Sequence, residues 1–324
     1  MVDRIPYSPP LIAPKTSESN RPLWSVMIPV YNCSKYLEET LESVLQQGYS
    51  LQEMQIEVVD DASTDTDVEK LVHAIGKGRI SYYRQISNVG SLRNFETCIN
   101  RSQGELLHIL HGDDKVRDGF YKKLESLFTL SPEVGAAFCR YSYINAQGDN
   151  LFLQDSEMEA DGILNNWLFK IAEHQRIQFA AIAVRREVYE KLGSFYGITY
   201  GEDWEMWVRI ARHYQVAYTP TVLAEYRKHS TSISGQKLQN AQLLKDIRKA
   251  AVFINQQLPK GSRKAVLAKS KKYYANFAIV EANIIWEDLH DKQAVRAQIR
   301  QALITSFNIQ LVWNSIKLFI KTML

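Results

Sequence analysis

Asp113 and Asp114 stand side by side in the stretch LLHILHGDDK, directly after an apolar run. Neighbouring carboxylates repel: at roughly 4 Å the cost is about 1 kcal/mol in water and about 4 kcal/mol at an effective dielectric of 20. Two arrangements relieve that repulsion. The pair can lie in open solvent, since GDD is ordinary turn composition, or a cation can sit beside it. Hard carboxylate oxygens suit Mg2+ or Mn2+, commonly held by one or two carboxylates together with substrate phosphates. In the second arrangement Asp114 is the direct ligand and Asp113 orients the substrate.

Other residues carry similar double readings. In DDASTD, Asp60 to Asp65, a carboxylate could accept a hydrogen bond from a nucleobase N–H. Helix capping by Ser63 or Asp65 is the plainer account of those two residues, but it leaves Asp60 and Asp61 unexplained. GEDWEMWVRI puts Glu202 and Asp203 just before a helix whose buried side is Trp204, Trp207, Val208 and Ala211. The helix dipole alone accounts for acids there. A general base beside aromatic walls, its pKa raised by desolvation, is the sharper reading. His229, in EYRKHSTS, could be a third metal ligand through neutral imidazole. In SNVGSLRN, backbone N–H groups and Arg93 could meet phosphate near a helix start, although Asn88 and Gly90 are ordinary turn residues.

These residues need elements to position them. WSVMIPV reads as a strand, and SKYLEETLESVLQQG as a helix with Ser34 as N-cap. QIEVVD, RISYYRQ, ELLHIL, GAAFCRYSYIN and FAAIAVR come next as strands. Helices over TDVEKLVHAIG, from about Ser91, and up to Phe128 with Asp118 as cap alternate with them. Strands alternating with helices imply a mostly parallel α/β sheet, with ligands beyond the carboxyl ends of its strands. PVYN, DDASTD and HGDD all fall at such ends, so one shared crevice is the economical reading. After about Gly235 the texture is helical. In the last stretch Ile309, Val312, Ile316, Phe319 and Met323 form one stripe interrupted by Lys317 and Lys321. This is an amphipathic helix rather than a membrane span, with core packing favoured over a membrane surface.

The chain of 324 residues is long enough to bury a full core. Its 39 basic and 36 acidic residues are too balanced to argue for nucleic acid. Three cysteines without metal or redox spacing, and no visible signal peptide, favour a reducing, cytoplasmic setting. Residues 1–22, with five prolines, read as a flexible leader.

Together, VMIPVYN, VVDDASTD, NVGSLRN, GELLHILHGDD, GEDWEMWVRI and YRKHSTS resemble the family-two glycosyltransferases with the GT-A fold. The six motifs occur in the family's order over Leu23 to Gly235. The resemblance implies a Rossmann-like, mostly parallel sheet flanked by helices, with 23–235 as the transferase domain and 236–324 as a C-terminal helical extension. It implies an inverting enzyme using Mg2+ or Mn2+ and a nucleotide-sugar donor, with a UDP-sugar expected first. Pro29, Tyr31 and Asn32 match the first nucleotide-binding segment, Asp61 the aspartate that contacts the base, and Arg93 a basic residue that helps hold the nucleotide. Asp113 would lie near the ribose, with Asp114 and His229 on the metal. Asp203 matches the catalytic base, with Glu202 beside it. Two departures stand out: Lys115 replaces a third acid, and His111 replaces a smaller or polar residue, narrowing the pocket. The acceptor implied is a glycan or lipid-linked sugar, in polysaccharide or glycolipid synthesis, with peripheral membrane contact through the C-terminal helix. A non-catalytic glycan- or nucleotide-binding module on the same scaffold is the alternative, but it would be expected to lose the base or the metal residues. A nucleotidyltransferase would need a glycine-rich phosphate loop, and PVYNCSKY is not one.

Overall fold

A computed structural model describes residues 3–15, 21–230, 232 and 242–323. Thr231 and the expected boundary after Gly235 lie outside the described residues. The strands are β1 (Trp24–Val30), β2 (Met54–Asp60), β3 (Ser81–Arg84), β4 (Leu106–Ile109), β5 (Lys115–Val116), β6 (Val134–Ile144), β7 (Asn150–Leu153), β8 (Gly162–Ile163), β9 (Ile182–Arg185) and β10 (Gln215–Arg227). The helices are α1 (Ser34–Leu45), α2 (Val68–Gly76), α3 (Ser91–Arg101), α4 (Phe120–Phe128), α5 (Trp167–Glu173), α6 (Arg186–Leu192) and α7 (Glu202–His213), then α8 (Gln242–Gln257), α9 (Arg263–Leu289), α10 (Lys292–Thr305) and α11 (Ile309–Lys321).

The chain divides into two compact units. Met1–Asn165, Ile177–Thr199 and His213–Arg227 form the first; Asn166–Arg176, Tyr200–Arg212 and Lys228–Leu324 form the second. The first unit contains the whole sheet, ordered β3-β2-β1-β4-β9-β6-β10-β5, with β7 paired to β6 and β8 to β10. β3, β2, β1 and β4 are mutually parallel, whereas β9 runs antiparallel to both β4 and β6. Every residue of β1 is buried, as expected of a central strand in such a sheet.

Pro29 sits inside that central strand, where proline is usually excluded. The register explains it. Met27 O bonds to Leu110 N on the β4 side, and Val30 O bonds to Asp61 N on the β2 side. Pro29, two residues after Met27, faces the β4 side beyond the last β4 partner, Ile109. Its missing N–H therefore costs no ladder bond.

Several local expectations are corrected. Ser34 is the first residue of α1 rather than its cap, and its N–H donates to Asp65 Oδ2 at 3.0 Å. Gly119, at φ +80°, occupies the cap position of α4 in place of Asp118. The first three residues of FAAIAVR form a 3-10 turn before β9. The proline-rich segment has no helix or strand over residues 3–15, but it is tied down. Ile12 is buried, Pro6 O and Pro10 O accept from Gly197 N and Ser194 N, and Arg186 Nη1 reaches Ala13 O at 3.3 Å.

In the second unit, Trp204 Nε1 donates to Ile171 O at 2.6 Å and its ring packs 5.3 Å from Tyr274. Glu205 and Arg209 form a buried ion pair at 3.0 Å. α11 reverses the expected packing: its buried row is Leu311, Ser315 and Leu318, while Ile309, Ile316, Phe319 and Met323 of the stripe are exposed. Among the described residues, no helix is long and apolar enough to cross a membrane.

Candidate active site

The loops after β1 and β2 are laced together at the carboxyl ends of their strands. Asn32, at φ +51°, donates its N–H to Ser63 Oγ at 3.0 Å and accepts from Thr64 N at 2.7 Å. Asp60 is wholly buried, taking Tyr82 Oη at 2.7 Å, Ser63 N at 2.9 Å and the Arg84 guanidinium. It is a structural clasp. Asp61 receives Val89 N at 2.7 Å on one oxygen, and Gly90 N and Asn88 Nδ2, each at 2.9 Å, on the other. Burial raises its pKa, opposed by those two backbone donors and by the charge of Arg4. Tyr31, just beyond β1, is about half exposed, which leaves a ring open for stacking.

Arg93 is already engaged: Nε donates to Asp3 O at 2.8 Å and Nη1 to Glu96 at 2.6 Å. A second cation, Arg4, binds Asn88 Oδ1. No sequence motif points to Arg4, because only the path of the leader brings it there.

Beyond β4 the chain turns through His111, Gly112, Asp113 and Asp114. Gly112 allows the close approach: a Cβ there would meet Cys33 Sγ at 2.9 Å and Val30 Cγ2 at 3.0 Å. His111, Asp113 and Asp114 each present a ligand atom, all within 4.8 Å of one another. Asp114 is buried, and its Oδ1 accepts from Arg227 N at 2.9 Å. Among the described residues its buried Oδ2 has no hydrogen-bond partner, and neither has His111 Nε2. A buried carboxylate oxygen left unpaired is costly. Burial and the charge of Asp113 push the Asp114 pKa up, whereas burial pushes His111 down towards the neutral, ligating form. Two carboxylates and a neutral imidazole form a donor set that fits a divalent cation. The His111 ring is held between Phe95, stacked at 5.4 Å, and Phe179 at 4.5 Å. His111, expected from sequence only to narrow the pocket, is thus a donor beside the acids. Its short spacing to Asp113 and Asp114 is the signal that could have shown this.

The second unit holds Glu202, Asp203 and His229. Asp203 Oδ2 accepts from Gln175 Nε2 at 2.5 Å, and Oδ1 accepts from Trp204 N at 2.7 Å. Desolvation, then the charge of Glu202, raises its pKa well above the usual carboxylate range. His229 lies two residues beyond the end of β10, and its carbonyl accepts from Ser232 Oγ at 2.8 Å.

Comparison with known proteins places the chain in a family and a fold. The pattern described as glycosyl transferase family 2 matches residues 25–193. An uncharacterized glycosyltransferase of Rickettsia typhi is 26% identical over 67% of this chain and 67% of its own length. The putative teichuronic acid biosynthesis glycosyltransferase TuaG of Bacillus subtilis is 29% identical over 68% of this chain and 85% of its own. Among solved structures, S. aureus TarS 1-349 in complex with UDP-GlcNAc superposes with a TM-score of 0.65 at 16% identity, covering 92% of this chain and 90% of that one. The mannosyltransferase PcManGT from Pyrobaculum calidifontis, in complex with GDP-Man and Mn2+, gives 0.59 at 17% identity over 97% and 83%. The fold is the GT-A fold. The chain belongs to glycosyl transferase family 2, and it is a glycosyltransferase.

Proposed function

We propose that the protein moves a sugar from a nucleotide-sugar donor to an acceptor hydroxyl in a metal-dependent reaction that inverts the anomeric centre. The observation that carries this reading is Asp114 Oδ2, buried and without a hydrogen-bond partner among the described residues, beside His111 and Asp113 beyond the end of a parallel strand. TarS with UDP-GlcNAc and PcManGT with GDP-Man and Mn2+ support the same donor class, with a UDP-sugar first. Asp113, Asp114 and His111, with His229 by family resemblance, would hold Mg2+ or Mn2+. A bound ion there would offset the charge that builds on the leaving diphosphate. Pro29, Tyr31, Asn32, Asp61 and Arg93 would frame the nucleotide.

Asp203 would take the acceptor proton, with Glu202 beside it keeping the carboxyl basic enough to do so. The attacking oxygen bonds to the anomeric carbon as the bond to the diphosphate oxygen breaks. A single displacement through an oxocarbenium-like state inverts the centre, and no protein nucleophile is required. Residues 23–235 serve as the transferase domain, 236–324 as the helical region and 1–22 as the leader. The acceptor is a glycan or lipid-linked sugar at the cytoplasmic face of a membrane, in polysaccharide or glycolipid synthesis. The likeness to the putative teichuronic acid biosynthesis glycosyltransferase TuaG supports the polysaccharide part of that reading.

Thermal stabilisation by a panel of UDP- and GDP-sugars, with and without Mn2+, tests the donor, since a ligand of the folded state raises Tm. Release of nucleoside diphosphate in the presence of acceptor tests transfer. Stabilisation by no donor would end the proposal. Donor binding without release, for every acceptor tried, would make the protein a binding module.

A further inference from the structure

Residues 292–323 contain Lys292, Arg296, Arg300, Lys317 and Lys321 and no aspartate or glutamate, although the whole chain carries a net charge of only +3. The same segment exposes its largest apolar side chains. Phe307 is 81% exposed, Ile309 90%, Trp313 53% and Met323 64%, with Ile304, Ile316, Phe319 and Ile320 also open. A surface helix normally buries its apolar stripe. α11 leaves most of its stripe open, burying Ser315 with Leu311 and Leu318, and Thr322 at its C-terminal cap. Cations border the apolar face: Lys317 Nζ lies 5.1 Å from the Trp313 ring and the Arg296 guanidinium 5.4 Å from Phe319. Lys321 reaches across to Glu287 at 3.0 Å, while Lys292, Arg296 and Arg300 stand exposed on α10.

We infer that the α10–α11 face docks on an anionic lipid surface. Aromatic and aliphatic side chains would enter the headgroup boundary, with the basic side chains extending to lipid phosphates. Charge argues against a second copy as the occupant. A two-fold interface sets the same patch against itself; Lys321 is paired with Glu287, but Lys292, Arg296, Arg300 and Lys317 would then face four more cations. A lipid surface supplies the missing negative charge and the apolar boundary together. Neither the donor site nor Asp203 takes part, so vesicle binding is read without donor, acceptor or metal.

The test is co-sedimentation of the full chain with phosphatidylglycerol-containing vesicles and with pure phosphatidylcholine vesicles, at low and high salt. Binding to the anionic vesicles that weakens with salt is expected. The double variant Trp313→Ser/Ile316→Ser should lower partitioning at least about tenfold. Lys317→Gln and Arg300→Gln should each lower it about fivefold. These side chains are exposed, and an unchanged Tm verifies that each variant is folded. No binding to anionic vesicles, or equal binding to both kinds, would overturn the assignment. Self-association seen by sedimentation velocity and abolished by the double variant, without vesicle binding, would give the face to a second copy instead.

Discussion

Arg227, the last residue of β10, is clasped to the acid loop beyond β4. Its N–H donates to Asp114 Oδ1 and its Nε to Asp113 O, both at 2.9 Å. The guanidinium also reaches Glu39 at 2.9 Å and Asn145 O at 3.3 Å, and lies 4.7 Å from the Tyr36 ring. The short strand β5 continues the tether, pairing Lys115 and Val116 with Glu225 and Ala224. Arg227 thus fixes the acid loop twice, its main-chain N–H on the Asp114 carboxylate and its buried side chain on the Asp113 carbonyl.

Arg227→Met should therefore damage both the fold and the site. Stranding the part-buried carbonyls of Asp113 and Asn145 costs up to about 1–3 kcal/mol each, while Glu39, 44% exposed, can turn its charge to water. A fall in the urea midpoint together with weaker Mn2+-dependent donor binding is expected. Arg227→Lys should recover little, because it lacks the planar fork. Wild-type stability in both variants would show that β5 alone holds the loop.

Asp114→Asn separates structure from ligation. If Oδ2 awaits a cation, the amide should abolish Mn2+-dependent donor binding, measured by calorimetry. Removing a buried charge next to Asp113 relieves repulsion, so metal-free Tm should not fall. Chelation of wild type should reproduce the binding loss. A variant whose donor titrations match those of wild type both with and without Mn2+ would remove Asp114 from the metal.

Much of the first unit is legible in the amino-acid sequence, because β1, β2 and β4 are short, mainly apolar and buried runs and each helix between them carries a periodic buried face. The acids at the strand ends are visible for the same reason: an apolar run that stops at a pair of carboxylates marks its own end. Arg227 is not legible as a clasp, since its hydrogen-bond partners lie 81 to 188 positions away. Leader packing is hidden likewise, resting on main-chain carbonyls of Pro6, Pro10 and Ala13 that carry no side-chain signal. On α11 the apolar stripe itself is plain from the spacing. Periodicity gives a helix's faces but not which of them a neighbour covers.

Asp61 tests whether a residue matched to nucleotide recognition also builds its own loop. With three donors from Asn88, Val89 and Gly90 on its carboxylate, Asp61→Ala should cost about 1.5–3 kcal/mol of stability, the range for hydrogen bonds to a charged group. Loss of donor affinity should accompany the drop in denaturation midpoint. If affinity for the nucleotide vanished while stability stayed at the wild-type level, the three loop contacts would be energetically idle.

Asp203 and Glu202 make a prediction about pH. Desolvation and the Glu202 charge raise the Asp203 pKa, so the base is protonated and idle at pH values where an ordinary carboxyl, near about 3.9, is already ionised. The acid limb of kcat/KM should therefore lie above that range. Glu202→Gln removes the like charge and should move the limb to lower pH, while Asp203→Asn should abolish turnover with donor binding intact. Stability changes with a definite sign. Because the folded value is raised, the contribution of protonated Asp203 is complete below the unfolded value and is lost as pH rises through the folded one. Asp203→Asn should flatten that loss, seen as a weaker fall of Tm with pH. A limb unmoved by Glu202→Gln would place the titrating base elsewhere.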